Sequence, residues 1–269
     1  MPVEVSARQL ADVVAALRAA GCVYAEDEAE LLVAAAGSPA ELEAMAARRA
    51  DGFPLEQVMG WAEFCGLRIA VDPGVFVPRR RSEFLVRQAA SLGAPGCVVV
   101  DMCCGTGAVG LALAAALGGA ELHAVDIDPA AVRCAARNMA GQGQVYAGDL
   151  FGPLPARLRG RVDVLVVNAP YVPTAEIALL PPEARLHEPR VALDGGPDGV
   201  GLHRRVAAAA PGWLAPGGVL LIETSERQAA LTAAAMTQAA LRVRVVTDSD
   251  WHAAAVIGRR AGGAPPDGP

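Results

Sequence analysis

Apolar positions in the first fifty residues recur at helical spacing. Val5, Leu10, Val13, Val14 and Leu17 share one face of a helix that Gly21 ends. A second helix begins near Glu26, carries Leu31, Leu32 and Val33, and stops at Gly37. Ser38 as N-cap and Pro39 in the first turn open a third. The pattern predicts a small helical bundle over residues 1–52. Residues 53–78 are rich in Gly and Pro, with apolar stretches at Trp61 to Phe64 and Leu67 to Val71, and read as a linking β-hairpin.

From Ser82 the pattern alternates between helix and strand. A helix over 82–92 precedes the apolar run Cys97-Val98-Val99-Val100, which suits a strand buried on both faces of a parallel sheet. Helix 107–117, strand 122–125, helix 129–138 and strands 144–147 and 162–167 follow. A Pro-rich loop spans 169–199; helix 200–210, strand 219–223 and helix 226–239 come next, and strands 241–246 and 253–258 close the pattern. Repeated βα units predict an α/β domain over 79–260, an open and mostly parallel seven-stranded sheet covered by helices. The last two strands have no helix between them and are expected to form an antiparallel hairpin at one edge. The Gly-, Pro- and Ala-rich tail, 261–269, is expected to be disordered.

Composition narrows the function. The chain is 53% hydrophobic but only 4% aromatic, so its core is built from Ala, Val and Leu. A formal net charge of -6 argues against a duplex nucleic acid as main partner. The run Arg79-Arg80-Arg81 reads as a solvated turn rather than a phosphate-binding patch. Six cysteines form no CxxC pair, and no His stands at ligand spacing, so neither a metal site nor a disulfide framework is expected. With no basic-then-apolar leader pattern and no uninterrupted run of transmembrane length, a cytoplasmic protein without a membrane partner is expected. His123, His187, His203 and His252 read as structural or surface residues, and Trp61, Trp213 and Trp251 as packing.

Chemistry concentrates after the first buried strand. Gly105-Thr106-Gly107-Ala108-Val109-Gly110 matches GxGxxG, whose usual reading is a dinucleotide site and hence an NAD-dependent oxidoreductase. Asp101 stands against that. A carboxylate before the glycines repels a pyrophosphate and attracts a cation. S-adenosylmethionine carries an ammonium and a sulfonium, so Asp101 points to this cofactor, with S-adenosylhomocysteine as product. Asp126, about twenty residues after the loop, stands where a carboxylate meets ribose hydroxyls. Asp149 suits the adenine amino group. For each Asp the competing role is a helix cap or a loop end, and Asp128 before Pro129 reads as a cap.

Asn168-Ala169-Pro170-Tyr171 follows the fourth strand directly and faces the same crevice. A planar NH2 group has two hydrogens to fix. The Asn168 side-chain oxygen accepts one, the Ala169 carbonyl accepts the other, and Tyr171 stacks on the plane. The nitrogen lone pair is then aimed at the sulfonium methyl. No general base is obvious, and the proton is expected to leave to water after transfer.

The tetrapeptide resembles the Asn-Pro-Pro-Tyr signature of the protein-glutamine methyltransferases that modify the Gly-Gly-Gln loop of peptide chain release factors. Further similar stretches are Pro54 to Gly60, Phe64 to Leu67, Pro73 to Arg79, Gly148 to Phe151 and Glu188 to Gly199. The resemblance spans nearly the whole chain. It implies a Rossmann-like class I methyltransferase fold behind a small N-terminal helical domain, acting as a monomer, with a release factor as protein substrate. It implies Asn168, Ala169, Pro170 and Tyr171 as catalytic. Asp101, Cys103, Gly105, Thr106, Gly107, Asp126, Ile127, Asp149, Leu150 and Asn168 are expected around the cofactor. Val77, Pro78, Arg79, Ser82 and Glu188 are expected on the substrate side.

Three stretches depart from that pattern. Ala169 replaces the first Pro of the tetrapeptide. Arg80-Arg81-Ser82-Glu83 stands where the family has Pro-Glu-Thr-Glu. Glu223-Thr224-Ser225-Glu226 replaces a Glu-Ile-Gly run. The alternatives are an N-methyltransferase for a small molecule or an adenine amino group, and a non-catalytic protein that keeps the cofactor fold.

Overall fold

The computed structural model describes residues 5–262. Helix α1 (Ala7–Ala19) opens with a capping box, in which the Ser6 hydroxyl accepts from the Gln9 backbone and the Gln9 side chain accepts from the Ser6 N–H. Helices α2 (Ala25–Ala35) and α3 (Pro39–Ala50) follow, with Ser38 capping α3 as expected. Leu17, Leu32, Leu42 and Met45 meet in a separate apolar core. A short helix, α4 (Leu55–Met59), packs Val58 into that core. Sequence pattern does not show α4, because five residues are too few to reveal a helical period. Strands β1 (Trp61–Phe64) and β2 (Leu67–Ala70) then pair as the expected hairpin. Their two-residue turn, Cys65-Gly66, has both φ angles positive, at 50° and 73°.

The remaining elements, in chain order, are α5 (Glu83–Ala90), β3 (Val98–Met102), α6 (Ala108–Ala116), β4 (Glu121–Asp126), α7 (Pro129–Asn138), β5 (Gly143–Ala147) and β6 (Val162–Val167). They continue with α8 (Pro182–His187), α9 (Gly201–Ala209), β7 (Leu214–Thr224), α10 (Glu226–Gln238), β8 (Arg242–Asp248) and β9 (Ala253–Arg259). Seven strands form one sheet in the order β5-β4-β3-β6-β7-β9-β8. The first five are parallel, and β9 runs antiparallel to both β7 and β8. Successive residues of the central strands serve opposite faces. Val99 and Val164 join the core under α5, α6 and α7, whereas Val98, Val100 and Leu165 join the core with Trp213 and Met236. Among the described residues no helix is long and apolar enough to cross a membrane.

Strand order reverses between β3 and β6. From β3 the chain steps outward to β4 and β5; it then returns to the other side of β3 for β6 and β7. Connections therefore diverge above the carboxyl ends of β3 and β6, which opens a crevice there. The segment 169–199 covers this crevice. It is not the plain loop its proline content predicts, since it holds α8 and three-residue to six-residue 3-10 turns at Thr174–Leu179 and Arg190–Ala192. A bridge between Val172 and Asp194 closes its base.

Gly199 fixes the far end of that segment. Its φ is +76°, and a Cβ there would run into the Gln228 amide and the Tyr171 carbonyl. Gln228 Nε2 donates to both Tyr171 O (2.8 Å) and Asp198 O (3.0 Å), so the three residues interlock. Gly199→Ala is expected to destabilise the fold by roughly 1–3 kcal/mol, measured by chemical denaturation, and to shift the Tyr171 backbone. A variant with unchanged denaturation midpoint and unchanged Tyr171 environment would contradict this account.

Candidate active site

Strand register brings the chemistry into one row. Met102 pairs with Val125 on one side and with Val167 on the other, and Val167 pairs with Ile222. The next residues in each strand are therefore neighbours: Asp126, Cys103, Asn168 and Glu223. All four line a cavity of about 830 Å³ at the switch point, a size typical of small-molecule sites.

Asp101 forms the floor on the β3 side. It is buried, and its Oδ2 accepts one bond, from the Gly110 N–H at 2.8 Å. Gly110 permits this contact, because a Cβ there would come within 3.0 Å of the Asp101 side chain. Burial pushes the Asp101 carboxyl up to about 7; the Gly110 N–H opposes this shift, and nearby Asp126 adds to it. Asp126 is bound from both sides, Oδ2 by the Gly105 N–H (2.8 Å) and Oδ1 by the Asp128 N–H (2.9 Å). Asp128 caps α7 by accepting from Ala130 N, as its position before Pro129 predicts.

The loop between β3 and α6 is held open in the left-handed region. Gly105 (φ +54°) would carry a Cβ into open space, with nothing within 4 Å. Cys103 and Leu150 line the same cavity with φ of 59° and 48°, unusual for residues with a side chain. Burial, reinforced by Asp126 and Asp101, holds the Cys103 thiol far above its ordinary value, so it stays neutral. Thr106, Ile127 and Asp149 also line the cavity. The Asp149 carboxylate is paired at 2.5 Å with Arg205 of α9.

Gly107 and Val77 lie outside the cavity wall, in contrast to the expectation for each. Gly107 (φ +78°) caps α6 and faces the Met139 sulfur of α7, which a Cβ would approach to 3.1 Å. Its role is helix packing. Val77 is buried against Ala62 and Val71, and only its backbone N–H takes part, donating to Glu188 Oε1 at 3.2 Å. Glu188 Oε2 accepts from Arg79 Nη2 at 2.6 Å. Both oxygens of Glu188 are thus engaged within the protein, and Arg79 and Glu188 stitch the entry segment to the cover segment at the cavity edge. Pro78 lines the cavity beside them.

Two arginines of the run are bound within the protein, while Arg80 is exposed as a solvated turn would have it. Arg79 pairs with buried Glu188. Arg81 Nη2 donates to the Tyr171 hydroxyl at 2.7 Å, its guanidinium stands 5.9 Å from the Tyr171 ring, and its Nε lies 3.6 Å from Glu223. The Tyr171 hydroxyl in turn donates to Glu223 Oε1 at 3.3 Å. Asn168 Nδ2 donates to the Ser82 hydroxyl at 3.1 Å. Ala169 and Pro170 are buried between these groups on the cavity wall. Behind Tyr171 lies His203, 6.4 Å between ring centroids, with Nδ1 bonded to Thr232 at 2.9 Å. Burial, then Arg204, bring the His203 imidazole down to about 4, so it is neutral packing.

Glu223 and Arg81, which the sequence shows only as departures from the family pattern, and Gln228, which it does not mark, have no site role in the sequence pattern. Glu223 ends a strand next in register to Asn168, and only the sheet order reveals that. Helix α8 also enters the site, through Glu183 and Ala184 on the wall. It is braced from behind by the N-terminal bundle. Arg49 donates to Glu28 (2.6 Å and 3.2 Å), to Phe53 O (3.0 Å) and to Glu183 (3.2 Å), while the Phe53 and His187 rings meet at a tilt, 4.0 Å between centroids.

Residues 66–181 match the family model described as the methyltransferase small domain. The chain is 40% identical over 198 residues to the release factor glutamine methyltransferase of Geobacter sulfurreducens, covering 71% of this chain and 69% of that one. It is 42% identical over 201 residues to that of Mycolicibacterium smegmatis, covering 74% and 71%. It is 38% identical over 220 residues to that of Deinococcus radiodurans, covering 80% and 78%. Among solved structures the fold is similar to a methyltransferase from Pyrococcus furiosus, with TM-score 0.57 and 16% identity over 73% of this chain and 90% of that one. It is also similar to a T. thermophilus 16S rRNA methyltransferase in complex with AdoMet and guanosine, with TM-score 0.53 and 20% identity over 74% and 49%. These two likenesses concern the fold alone.

Asp101 yields a pH signature. Its carboxyl is neutral below about 7 and charged above it. A cationic cofactor gains from the charged form only, so affinity for S-adenosylmethionine is expected to rise with pH, by up to about tenfold per unit below that value. Calorimetric titration between pH 5.5 and 8.5 checks this, and Asp101→Asn is expected to bind weakly with a flat profile. An unchanged slope in that variant would remove Asp101 from cofactor binding.

Proposed function

The chain belongs to the release factor glutamine methyltransferases, and we propose that it methylates the side-chain amide of the glutamine in the Gly-Gly-Gln loop of a peptide chain release factor, with S-adenosylmethionine as donor. The observation that carries this reading is the placing of Asn168 beside the cofactor loop, with its Nδ2 end held by Ser82 and its Oδ1 end left for the cavity.

The residues present suit the cofactor. Asp101 is a buried carboxylate with no cationic partner among the described residues, and Gly105 has open cavity space where a Cβ would stand. In this reading Asp101 faces the cationic methionine portion, Asp126 the ribose, and Asp149 with Ile127 and Leu150 the adenine. Cys103, Gly105 and Thr106 form the wall between them. When bound, S-adenosylmethionine supplies a methyl group on a positively charged sulfur.

The protein supplies orientation. An amide nitrogen is a poor nucleophile, because its lone pair is delocalised into the carbonyl. Asn168 Oδ1 accepts one amide hydrogen and the Ala169 carbonyl accepts the other. Pro170 stiffens the turn, and the Tyr171 ring covers the amide plane. Positioning of this kind is worth about 7–11 kcal/mol at most. Ala169 serves through its carbonyl, which any residue carries, so loss of the first proline leaves the clamp its two acceptors. Pro78, Arg79, Ser82 and Glu188 form the edge over which the substrate loop enters.

On this reading residues 1–52 form the helical bundle, 53–78 the linking hairpin region and 79–260 the catalytic domain; the proposed disordered tail, 261–269, falls from residue 263 outside the described residues. The chain acts as a monomer, in the cytoplasm, where release factors work.

Asn168→Ala is expected to abolish methyl transfer while S-adenosylmethionine binding is retained. The assay uses labelled S-adenosylmethionine with intact release factor, a DNA duplex and a metabolite extract in parallel. Label on the release-factor glutamine supports the reading; label only in metabolites or DNA, or near wild-type turnover of the variant, overturns it.

A further inference from the structure

We propose that Asn138 is a positioning residue for the cofactor, holding the glycine-rich loop in shape by tying the Thr106 carbonyl to the linking hairpin. This rests on the reading that S-adenosylmethionine occupies the cavity beside that loop, and it extends the site to a residue behind the cavity wall.

Asn138 is the last residue of α7, an end position that suits Asn better than a helix interior. Its amide meets three backbone groups. Oδ1 accepts from the Ala70 N–H at 2.9 Å, and Nδ2 donates to the Ala70 carbonyl and to the Thr106 carbonyl, each at 2.9 Å. One N–H and two carbonyls fit an amide in a single orientation, with its oxygen towards the N–H. Ala70 ends β2, which belongs to a two-stranded sheet and has no strand along its outer edge among the described residues. Asn138 pairs with that edge as a neighbouring strand would. Its remaining hydrogen reaches the cofactor loop.

Thr106 needs that hydrogen. It is buried, at 2% exposure, and lies just before α6. In a helix continued backwards, the Gly110 N–H would serve the Thr106 carbonyl. Gly110 donates to Asp101 Oδ2 instead, at 2.8 Å. Asn138 therefore supplies the donor that Asp101 takes away. The peptide joining Thr106 to Gly107 is gripped at both ends, because the Gly107 N–H donates to the Cys104 carbonyl at 2.7 Å. Gly105 and Gly107, on either side of Thr106, have φ of 54° and 78°. Glycines leave such a shape readily unless something holds them. Met139 follows Asn138 and sets its sulfur against Gly107. The end of α7 is thus the seat on which the loop rests.

Loss of the Asn138 amide leaves the Thr106 carbonyl buried without its donor, which is costly. By spacing, the Gly110 N–H is the main-chain donor that can answer it, at the expense of Asp101. Asp101, Gly105 and Thr106 all line the cavity, so a loop that leaves this shape loses its fit to the cofactor. Asn138→Asp is the sharper change. It keeps the volume and the acceptor for Ala70, but sets carboxylate oxygen against both carbonyls. A second link joins the same helix to the hairpin side without touching the loop: Arg137 donates to both oxygens of Asp72, just after β2, at 3.1 Å and 2.8 Å.

The test is calorimetric titration of the full chain with S-adenosylmethionine, for wild type, Asn138→Ala, Asn138→Asp and Arg137→Ala. Amide hydrogen exchange over residues 103–110 is measured in the same proteins without cofactor. Asn138→Ala is expected to lower affinity about tenfold and Asn138→Asp by more, each with faster exchange in the loop. Arg137→Ala is expected to keep wild-type affinity and wild-type loop exchange. If Asn138→Asp does not fold, Asn138→Ala carries the test beside Arg137→Ala. Wild-type affinity in Asn138→Ala overturns the proposal. So does a loss in Arg137→Ala equal to that in Asn138→Ala, since hairpin docking alone would then be at stake. A loss in Asn138→Ala with unchanged loop exchange also overturns it. A wild-type chain that does not bind S-adenosylmethionine removes the reading beneath it.

Discussion

The site depends on the parallel register of β3, β6 and β7 at the point where strand order reverses. Met102, Val167 and Ile222 lie side by side, so the residue after each emerges at one level above the sheet. A slip of one residue in β6 would exchange the two faces of that strand. Val166 and Val167 would trade cores, and Asn168 would leave the row it shares with Cys103 and Glu223. Because Val164, Leu165, Val166 and Val167 are all fully buried, such a slip meets close packing on both sides of the sheet. The same apolar strands that stabilise the fold therefore fix the chemistry at their ends.

Two buried carboxylates mark the two sides of the cavity, and their surroundings differ. Among the described residues Asp101 has one backbone N–H and no cation, so burial makes its carboxyl easy to neutralise. Glu223 has a guanidinium, a phenol and a serine hydroxyl around it. The first group is suited to a cation that arrives from outside. The second has its partners built in and is suited to holding neighbouring side chains in place. Desolvation acts on both alike; the counter-charges separate their roles.

Local pattern carried most of the architecture. The βα alternation, the buried strand at Val98 to Val100, the Ser38 and Asp128 caps and the edge hairpin all follow from neighbours in sequence, and all appear where expected. Helices α4 and α8 did not, because five or six residues hold too little periodicity to read. Among the expected site residues, the carboxylates and the Asn168 tetrapeptide reach one cavity, since strand ends are legible from the strands themselves. Val77 and Gly107 do not, since burial against Ala62 or Met139 is a tertiary fact. The arginine run misleads for the same reason. Arg79 and Arg81 look solvated until Glu188, Tyr171 and Glu223, all distant in sequence, are folded around them; Arg80 stays exposed.

Arg49 ties the N-terminal bundle to Glu183 on the cavity wall, and Phe53 ties it to His187 on the same short helix. An exchange of this bundle for that of a distant relative would place an unmatched surface against α8, although no atom of the reacting groups had changed. Bundle and cover segment therefore form one mechanical unit, in which the surface of the first has to match the back of the second.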